Sequence, residues 1–508
     1  MIDDSPLAAF SAHFKRLVAA KCTLIQLVTF EEERTERLVA EVAAGLFARA
    51  VLMFRWTCTA GLCGPDGSIP DTRDPFAALD HVLSSRETTF FLFEDLHPFL
   101  VDNPSLVRRL RDASRACAAN YTTVLLIGPH AQLPEDLQRD VTSLEVPLPE
   151  EAEIEATIET VLKESARTAP LAAALTPKIR ATLARAALGL TERQAAEAYR
   201  KALAGKTTLD DRIVRSVIEE KRQLVRRVAA LDFVENVPSL EDVGGLENLK
   251  AWLEKRRNAI TSSSGNRLMA LPKGLLLTGV SGCGKSLCAK AVASHWRIPL
   301  LRFNMANLYA GEEDTSPEQA LRLTIKVAER VAPCVLWIDE IEASVSINTQ
   351  KTGQGSASRV LASLLNWMQE KSAFVFVAAT ANVIDILPPE VLRKGRFDEI
   401  FFVGLPRQDE RAEIFRIHLR RAEQDPRAFD LEALAKSTTG FNGAEIEQVV
   451  TSALIECLHA ERPLSQEDLV ITAGNMVPLS VTMREEIGRM ERWAHSRAVM
   501  ASNPKRTS

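Results

Sequence analysis

Eight residues in the second half of the chain have the types and spacing of a phosphate-binding loop. They are Gly279-Val280-Ser281-Gly282-Cys283-Gly284-Lys285-Ser286, which fit the pattern G-x-x-x-x-G-K-[ST]. Glycines let backbone N–H groups turn toward phosphate oxygens, and a following helix adds partial positive charge at its N-terminus. Lys285 would reach the β and γ phosphates, and the Ser286 hydroxyl would bind Mg²⁺. We therefore expect ATP and Mg²⁺ as ligands, with contacts from Gly279, Ser281, Gly282, Cys283, Gly284, Lys285, Ser286 and Leu287.

The acidic partner of this loop is the segment CVLWIDE (334–340), an apolar run of strand length that ends in two carboxylates. Asp339 would hold Mg²⁺ through water, and Glu340 would polarise the water that attacks the phosphate. Such an ending is weak evidence alone, because FFLFED (90–95) also ends in two acids, Glu94 and Asp95, without a phosphate-binding loop nearby. The prediction of ATP hydrolysis rests on both motifs together.

Short apolar runs alternate with longer helical patterns along the whole chain, which is typical of a mostly parallel α/β sheet. The runs are LIQLV (24–28), FFLF (90–93), VLLI (124–127), GLLLTG (274–279), VLWI (335–338) and FVFVAAT (374–380). The phosphate-binding loop directly follows one run and precedes the helical pattern LCAKAVASHW. The sequence therefore predicts an α/β fold of the P-loop NTPase class.

The same order of patterns occurs twice. LEVPLP (144–149) closes the first series and FFVGLP (401–406) the second, and each is followed by a helical region. Within these regions Thr191 and Asn442, both good N-cap residues, follow glycines at the same spacing. We interpret this as a duplication. The turn after LIQLV reads TFEEERTERL, with carboxylates instead of glycine and lysine, so we expect no ATP in the first copy.

These patterns give five predicted domains. Residues 209–231 have the apolar spacing of an amphipathic connecting helix, and 236–245 have the composition of a linker. The predicted domains are a degenerate α/β domain (1–150), a helical lid-like region with the connecting helix (151–235), the ATP-binding α/β domain (236–407), a helical lid (408–480) and a C-terminal amphipathic helix with its tail (481–508).

Composition excludes several classes of protein. The 508 residues are 46% hydrophobic and 25% charged, as in multi-domain globular proteins, and the net charge of −5 disfavours nucleic acid as a partner. No apolar run reaches the roughly 18 residues of a membrane span, and the start MIDDSPLAAFSAHF is acidic without a long apolar core, so we expect no secretory signal and a cytoplasmic protein. Cys58 and Cys63 lack a second pair of zinc ligands, which favours ordinary free thiols.

From Leu240 onward the sequence resembles AAA ATPases of the clade that includes ring-shaped unfoldases and complex-disassembly machines. The matching segments are LEDVGGLENLK (240–250), the phosphate-binding loop, CVLWIDEIEA (334–343), VAATANVIDILPPEVLRKGRFDEIFFVGLP (377–406) and TGFNGAEIEQVV (439–450). The resemblance implies a homo-oligomeric ring, expected to be a hexamer, that acts on a protein partner. It also implies adenine contacts from Asp242, Val243 and Gly244, a water-orienting and γ-phosphate-sensing role for Asn382, and arginines reaching a neighbouring subunit's ATP at Arg393 and Arg396.

Two departures from the family matter. Leu308-Tyr309-Ala310-Gly311 stands where relatives carry a Lys-aromatic-Val-Gly loop at the central pore, so the aromatic is kept and the cation is lost. Gly443 and Ala444, placed beside the nucleotide by the resemblance, replace the arginine of clamp-loader and helicase relatives. The second departure counts against the nucleic-acid branches of the family.

The degenerate first half and the ending PLSVTMREEIGRMERWAHSRA (478–498) resemble a narrower group of AAA proteins from algal plastid genomes, cyanobacteria and other bacteria. A plastid-encoded member would lie in the plastid stroma. In the ending, Thr482 and Glu485 have the spacing of a capping box, and Met483, Ile487, Met490 and Trp493 fall on one helix face. That face would pack on the lid or on another subunit.

Three functions remain open. The chain could be an oligomeric motor that remodels a protein partner through Tyr309, or an ATP-dependent assembly switch whose first half is a docking platform. An exposed Tyr309 would favour the motor and a buried one the switch. A non-catalytic nucleotide-binding protein is disfavoured, because Glu340 and Asn382 are both present.

Overall fold

The chain forms two compact units, Met1–Val217 and Ile218–Ser508. The structure is a computed structural model. It describes residues 5–47, 51–118, 120–129, 133–164, 171, 175–206, 208–226, 228–261, 272–309, 316–342, 356–371, 373–383, 386–393 and 395–503. Within these ranges, no helix combines the length and the apolar character needed to cross a membrane.

The first unit is built on a seven-stranded sheet. Its strands are β1 (Leu24–Val28), β2 (Leu52–Thr57), β3 (Gly61–Gly64), β4 (Gly67–Ser68), β5 (Thr89–Glu94), β6 (Thr123–Gly128) and β7 (Thr142–Glu145). Their spatial order is β4-β3-β2-β5-β6-β1-β7, parallel except for the β2-β3-β4 meander. The central strands β5 and β6 are buried along their whole length, as parallel strands covered on both faces are.

Helices cover this sheet and extend beyond it. They are α1 (Pro6–Ala19), α2 (Glu32–Leu46), α3 (Pro75–Ser84), α4 (His97–Leu100), α5 (Pro104–Cys117), α6 (Glu151–Glu164), α7 (Pro177–Ala187) and α8 (Glu192–Leu203). Thr191 is the N-cap of α8 and forms a capping box with Gln194. Helix α9 (Asp211–Val225) follows, within the span 209–231 that the apolar spacing predicts to be helical.

The second unit has a second seven-stranded sheet. Its strands are β8 (Leu231–Val234), β9 (Gly274–Gly279), β10 (Leu300–Phe303), β11 (Cys334–Ile338), β12 (Val375–Ala381), β13 (Glu399–Val403) and β14 (Val499–Met500). The order is β14-β13-β9-β12-β11-β10-β8, and β8 is the antiparallel strand. One apolar cluster lies on each face of this sheet.

The helices of the second unit pack on this sheet and form a separate lid. Those on the α/β part are α10 (Glu247–Thr261), α11 (Lys285–Trp296), α12 (Pro317–Val331) and α13 (Ser356–Glu370). Those that follow β13 are α14 (Gln408–Arg421), α15 (Leu431–Ser437), α16 (Gly443–His459), α17 (Gln466–Gly474), α18 (Leu479–Thr482) and α19 (Arg484–Arg497). The lid has its own apolar cluster, formed by α14 to α17. Asn442 is the N-cap of α16.

The two sheets share one topology. Five strands of one sheet correspond in chain order to five strands of the other. Their spatial order is β2-β5-β6-β1-β7 in the first unit and β10-β11-β12-β9-β13 in the second. In both sheets the first of the five strands along the chain therefore lies between the fourth and the fifth. The predicted α/β class, with parallel sheets and a helical lid after a degenerate first copy, is confirmed. The finer division into five domains stays a prediction.

The C-terminal helix corrects one expectation. Helix α19 begins at Arg484, with Met483 as an N-cap that makes no side-chain bond, so Thr482 and Glu485 form no capping box. Thr482 instead ends the short helix α18, and its hydroxyl donates to the Leu479 carbonyl oxygen. The predicted face of α19 is correct, because Ile487 is buried while Met483, Met490 and Trp493 are half-buried.

Candidate active site

The phosphate-binding loop joins β9 to α11 and depends on its glycines. Gly279 has φ +131°, and a Cβ there would collide with the carbonyl oxygen of Val403. Gly282 has φ +75°, and its Cβ would lie 2.8 Å from the Asn442 side chain. Residues with a Cβ rarely adopt such backbone angles, so the loop can take this path only with glycine.

Lys285 lies in the first turn of α11 and is only 6% exposed. Its ammonium donates to the carbonyl oxygens of Gly279 and Val280, both at 2.8 Å. Burial lowers the pKa of Lys285 to about 8, and nearby negative charges, including Glu342 and Asp339, oppose this only in part. A buried cation inside a loop of inward-turning backbone fits a phosphate, because an anion would restore the charged form.

Oxygen ligands suited to Mg²⁺ meet beside this lysine. The Ser286 hydroxyl donates to Asp339 Oδ1 at 2.7 Å, and the Thr380 hydroxyl donates to the same oxygen at 2.7 Å. Hydroxyl and carboxylate oxygens are what this hard cation prefers. Ser286 and Asp339, which sequence reasoning assigned to the metal, are therefore in direct contact.

Glu340 is held in an unusual backbone conformation directly after β11. Its φ is +50°, in the left-handed region, and its N–H donates to the Thr380 hydroxyl at 3.0 Å. The Asn382 amide donates to Glu340 Oε1 at 2.9 Å. Such conformations persist where surrounding contacts enforce them, and they cluster at functional sites.

A cleft of about 410 Å³ lies between the α/β part and the lid. Most of the predicted site residues line it. They are Asp242, Val243, Gly244, Ser281, Gly282, Cys283, Gly284, Lys285, Ser286, Leu287, Glu340, Asn382, Gly443 and Ala444. Gly279 and Asp339 lie behind this lining and contact Lys285 and Ser286, as described above.

The N-terminus of α16 lies against the phosphate-binding loop. Ala444 N–H donates to the carbonyl oxygen of Gly282 at 3.0 Å, and the Asn442 amide donates to that of Ser281 at 3.3 Å. A Cβ on Gly443 would lie 3.2 Å from the Gly282 oxygen, so a side chain there would be crowded. The pair Gly443-Ala444 thus allows the lid helix to approach the loop closely.

Sequence reasoning did not single out five lid residues of the cleft: Glu447 lies on α16, and the other four, Ile414, Ile417, His418 and Arg421, lie on α14. Their i, i+3, i+4, i+7 spacing on α14 was the available signal. Burial lowers the pKa of His418, and Glu447, 3.8 Å away, opposes this. Arg421 lies 3.3 Å from the Asp242 carboxylate, which also accepts a bond from Ser239 N–H at 2.8 Å.

Three predicted residues lie away from this cleft. Arg393 is exposed and Arg396 is half-buried, in the segment before β13, and neither is among the described residues that line the cleft. Tyr309 ends the short 3₁₀ helix Met305–Tyr309 and packs partly buried against one core of the second sheet. Its predicted loop partners Ala310 and Gly311 lie outside the described residues.

Comparisons with known proteins agree with this geometry. Residues 275–405 match the ATPase family associated with various cellular activities (AAA), and residues 428–470 match the AAA+ lid domain. The protein named "Uncharacterized AAA domain-containing protein ycf46" in Trieres chinensis is 34% identical, over 97% of this chain and 98% of its own. The chain belongs to the AAA ATPase family. The ycf46 protein of Guillardia theta is likewise 34% identical, over 96% of this chain and 95% of its own.

The first unit of this AAA protein also has matches. Residues 10–146 match the N-terminal domain of SpoVK-like AAA ATPases, and residues 152–228 match the second domain of the same proteins. A more distant relative, the proteasome-activating nucleotidase of Aeropyrum pernix, is 35% identical over 45% of this chain and 58% of its own. That similarity covers only part of each chain.

Proposed function

We propose that this AAA protein binds Mg-ATP in the cleft between the second sheet and its lid, and hydrolyses it to ADP and phosphate. The observation that supports this most is the set of contacts joining Ser286, Asp339, Thr380, Glu340 and Asn382 directly beside the buried Lys285. These contacts support the proposal because they bring together, at one edge of the sheet, a cation, two oxygens suited to Mg²⁺ and a carboxylate hydrogen-bonded to a side-chain amide.

Each residue has a distinct role in the proposal. Lys285 and the loop N–H groups would bind the phosphates, and Ser286 with Asp339 would hold Mg²⁺, which neutralises charge on the phosphates. Glu340, oriented by Asn382, would accept the proton of the water that attacks the γ-phosphorus. The bond from that phosphorus to the bridging oxygen then breaks, and ADP leaves.

The test separates binding from chemistry. Lys285→Ala should abolish ATP binding, because it removes the cation that faces the phosphates. Glu340→Gln should bind ATP normally and lower kcat by about 10²–10⁴, because only proton transfer is lost. Calorimetry with Mg-ATP and a phosphate-release assay measure the two effects. Equal ATP affinity in wild type and Lys285→Ala would rule out this site.

We also propose that the active form is a homo-oligomeric ring, a hexamer, in which Arg393 and Arg396 reach the ATP of a neighbouring subunit. Their position outside the cleft of their own subunit, with Arg393 exposed, supports a role between subunits. An arginine that neutralises transition-state charge contributes about 10³–10⁵ in rate.

Subunit mixing tests this arrangement. Arg393→Ala and Arg396→Ala should each bind ATP and lose turnover, and mixing either with Lys285→Ala should restore part of the activity. Restoration is expected because the mixed interface combines an intact nucleotide site with an intact arginine. Co-assembled mutants that stay inactive, or full activity from a strictly monomeric wild type, would contradict the proposal.

The work done by hydrolysis is proposed to be remodelling of a protein partner, in the cytoplasm or, for a plastid-encoded chain, in the stroma. The name of one similar protein, proteasome-activating nucleotidase, supports this direction. The partial burial of Tyr309 keeps the assembly switch as the second candidate. A Tyr309→Ala chain that keeps basal turnover but loses partner-stimulated turnover supports the motor, whereas lost ATP binding supports the switch.

A further inference from the structure

Glu342 is a buried carboxylate two residues beyond Glu340, and it is only 6% exposed. Its Oε1 accepts the backbone N–H of Asn382 at 2.6 Å and that of Val383 at 3.2 Å. Glu342 therefore fixes the backbone from which the Asn382 amide projects.

The contacts around Glu342 continue the pairing of two strands past the end of the sheet. Strands β11 and β12 are in register up to Ile338 and Ala379. Beyond that pair, Thr380 accepts two backbone N–H groups, that of Glu340 at its hydroxyl and that of Ile341 at its carbonyl oxygen, both at 3.0 Å. Further from the sheet, the Glu342 carboxylate accepts the N–H groups of Asn382 and Val383. The two segments are thus tied residue by residue from the sheet to the site.

The hydrogen bonds that join these two segments also set the distance between Glu340 and Asn382. Both side chains lie at the cleft, and the next residue, Val383, is 41% exposed, so apolar packing does little to hold the segment that follows β12. The hydrogen bond from the Asn382 amide to Glu340 spans 2.9 Å and tolerates little displacement. A shift of about 1 Å in such a group can cost as much as 10²-fold in rate.

We propose that Glu342 is a positioning residue for hydrolysis. It holds the backbone of Asn382 so that the Asn382 amide meets the Glu340 carboxylate. This inference rests on the proposed function, because it assigns Glu342 to the step that Glu340 carries out. Glu342 itself is not among the residues that line the described cleft, and it acts through Asn382.

Two variants of nearly equal size separate this role from a role in packing. Glu342→Gln keeps a side-chain oxygen that can accept both N–H bonds, and Glu342→Met fills the same space without an acceptor. We expect Glu342→Met to lower kcat by about 10–100-fold and to leave the ATP dissociation constant and KM within about twofold, while Glu342→Gln stays within about threefold in kcat. Glu370→Ala, at the exposed end of α13, is the control.

A double substitution tests the path of the effect. If Glu342 acts through Asn382, then Glu342→Met combined with Asn382→Ala should be no slower than Asn382→Ala alone. Multiplied losses in the double variant would overturn the inference. So would an unchanged kcat in Glu342→Met, or equal losses in the Met and Gln variants.

A measurement without turnover keeps the inference separate from the proposed function. In protein labelled with ¹⁵N-asparagine, the signal of the Asn382 side-chain amide is identified by its absence from Asn382→Ala. We expect this signal to move toward the solvent-exposed position in Glu342→Met and to stay in place in Glu342→Gln. If wild type hydrolyses no ATP, the proposed function fails and this signal still decides the positioning role. A signal unmoved in Glu342→Met refutes that role.

Discussion

The turn after β1 and the loop after β9 occupy the same place in two sheets of the same topology, yet they are built from opposite chemistry. The turn of the first unit spans residues 29–31 and includes Glu31, whereas the loop of the second spans 280–284 and contains Gly282 and Gly284. The shorter turn lacks the backbone that would surround a phosphate, and its one carboxylate, followed by Glu32 and Glu33 at the start of α2, would repel one. The shared fold therefore does not carry the function, which depends on a few residues at one edge of the sheet.

After β1 of the first unit, charged side chains of the chain itself form hydrogen bonds with one another at the position where the second unit is proposed to bind nucleotide. Arg34 is 2% exposed and contacts both oxygens of Glu153 on α6, at 2.8 and 2.9 Å, as well as Glu31 and the Pro147 carbonyl oxygen. Glu31 in turn accepts the N–H of Glu192 at the start of α8, at 2.6 Å. Protein charges thus join the sheet to the helical region in the first unit.

The acidic ends of β5 and β11 have the same backbone turn in the two units. Asp95 has φ +51°, nearly the +50° of Glu340, so the left-handed turn after the strand is the same in both units. The strand registers place Ile127 where the second unit has Thr380, so the hydroxyl that contacts Asp339 and Glu340 has no counterpart. The first unit therefore has the same backbone turn and two acidic residues, but it lacks the hydroxyl that joins them to the neighbouring strand in the second unit.

The buried Arg34 network gives the largest expected effect. Arg34→Ala should destabilise the first unit by about 3–5 kcal/mol, because it leaves the buried Glu31 and the half-buried Glu153 without their cation. Hydrogen exchange of peptides from residues 5–206 measures the loss. ATP affinity of the second unit should be unchanged.

The control for Arg34 is a neighbouring arginine in an exposed pair. Arg37 contacts Glu192 with its own side chain 56% exposed and that of Glu192 36% exposed, so Arg37→Ala should cost only about 0–1 kcal/mol. Similar losses from the two substitutions would mean that the Arg34 network is not what stabilises the helical region of the first unit.

Glu94 gives a smaller effect that depends on pH. Burial raises the pKa of Glu94 to about 7, with Glu32 adding to the shift and Arg55 opposing it. The folded state therefore keeps a proton on Glu94 up to about pH 7, whereas the unfolded chain releases it near pH 4.5. The stability that this proton contributes is fully present below about pH 4.5 and is lost as the pH rises through 7. Glu94→Gln should stabilise the first unit by about 1–2 kcal/mol at pH 8 and by little at pH 5.

Thermal unfolding of wild type and Glu94→Gln at the two pH values measures this difference. Asp95→Asn, whose side chain is 59% exposed, is the control and should change stability little at either pH. An equal gain for Glu94→Gln at pH 5 and pH 8 would show that its carboxylate is not held protonated by the fold.

Sequence reasoning predicted the parts of the molecule with strong local signals. The strands beside the phosphate-binding loop and the N-caps Thr191 and Asn442 are confirmed, because each follows from neighbouring residues. It missed β8 and β14, whose short segments pair with strands distant in sequence and carry no periodicity of their own. Glu342 and Thr380 were missed for a similar reason, since their roles arise from the register of β11 and β12.

The last strand of the second sheet has a consequence for how the chain is made. Strand β14 pairs with β13, although the whole lid separates the two strands in sequence. The residues after β14 make further contacts: the Ala501 carbonyl oxygen accepts the Asn248 N–H, and the Ser502 hydroxyl donates to Glu410. During synthesis β13 leaves the ribosome before β14 exists, so its outer edge stays unpaired until the lid and β14 have been translated. Unpaired strand edges invite aggregation. A nascent chain paused within the lid is therefore the stage at which a chaperone would be needed most.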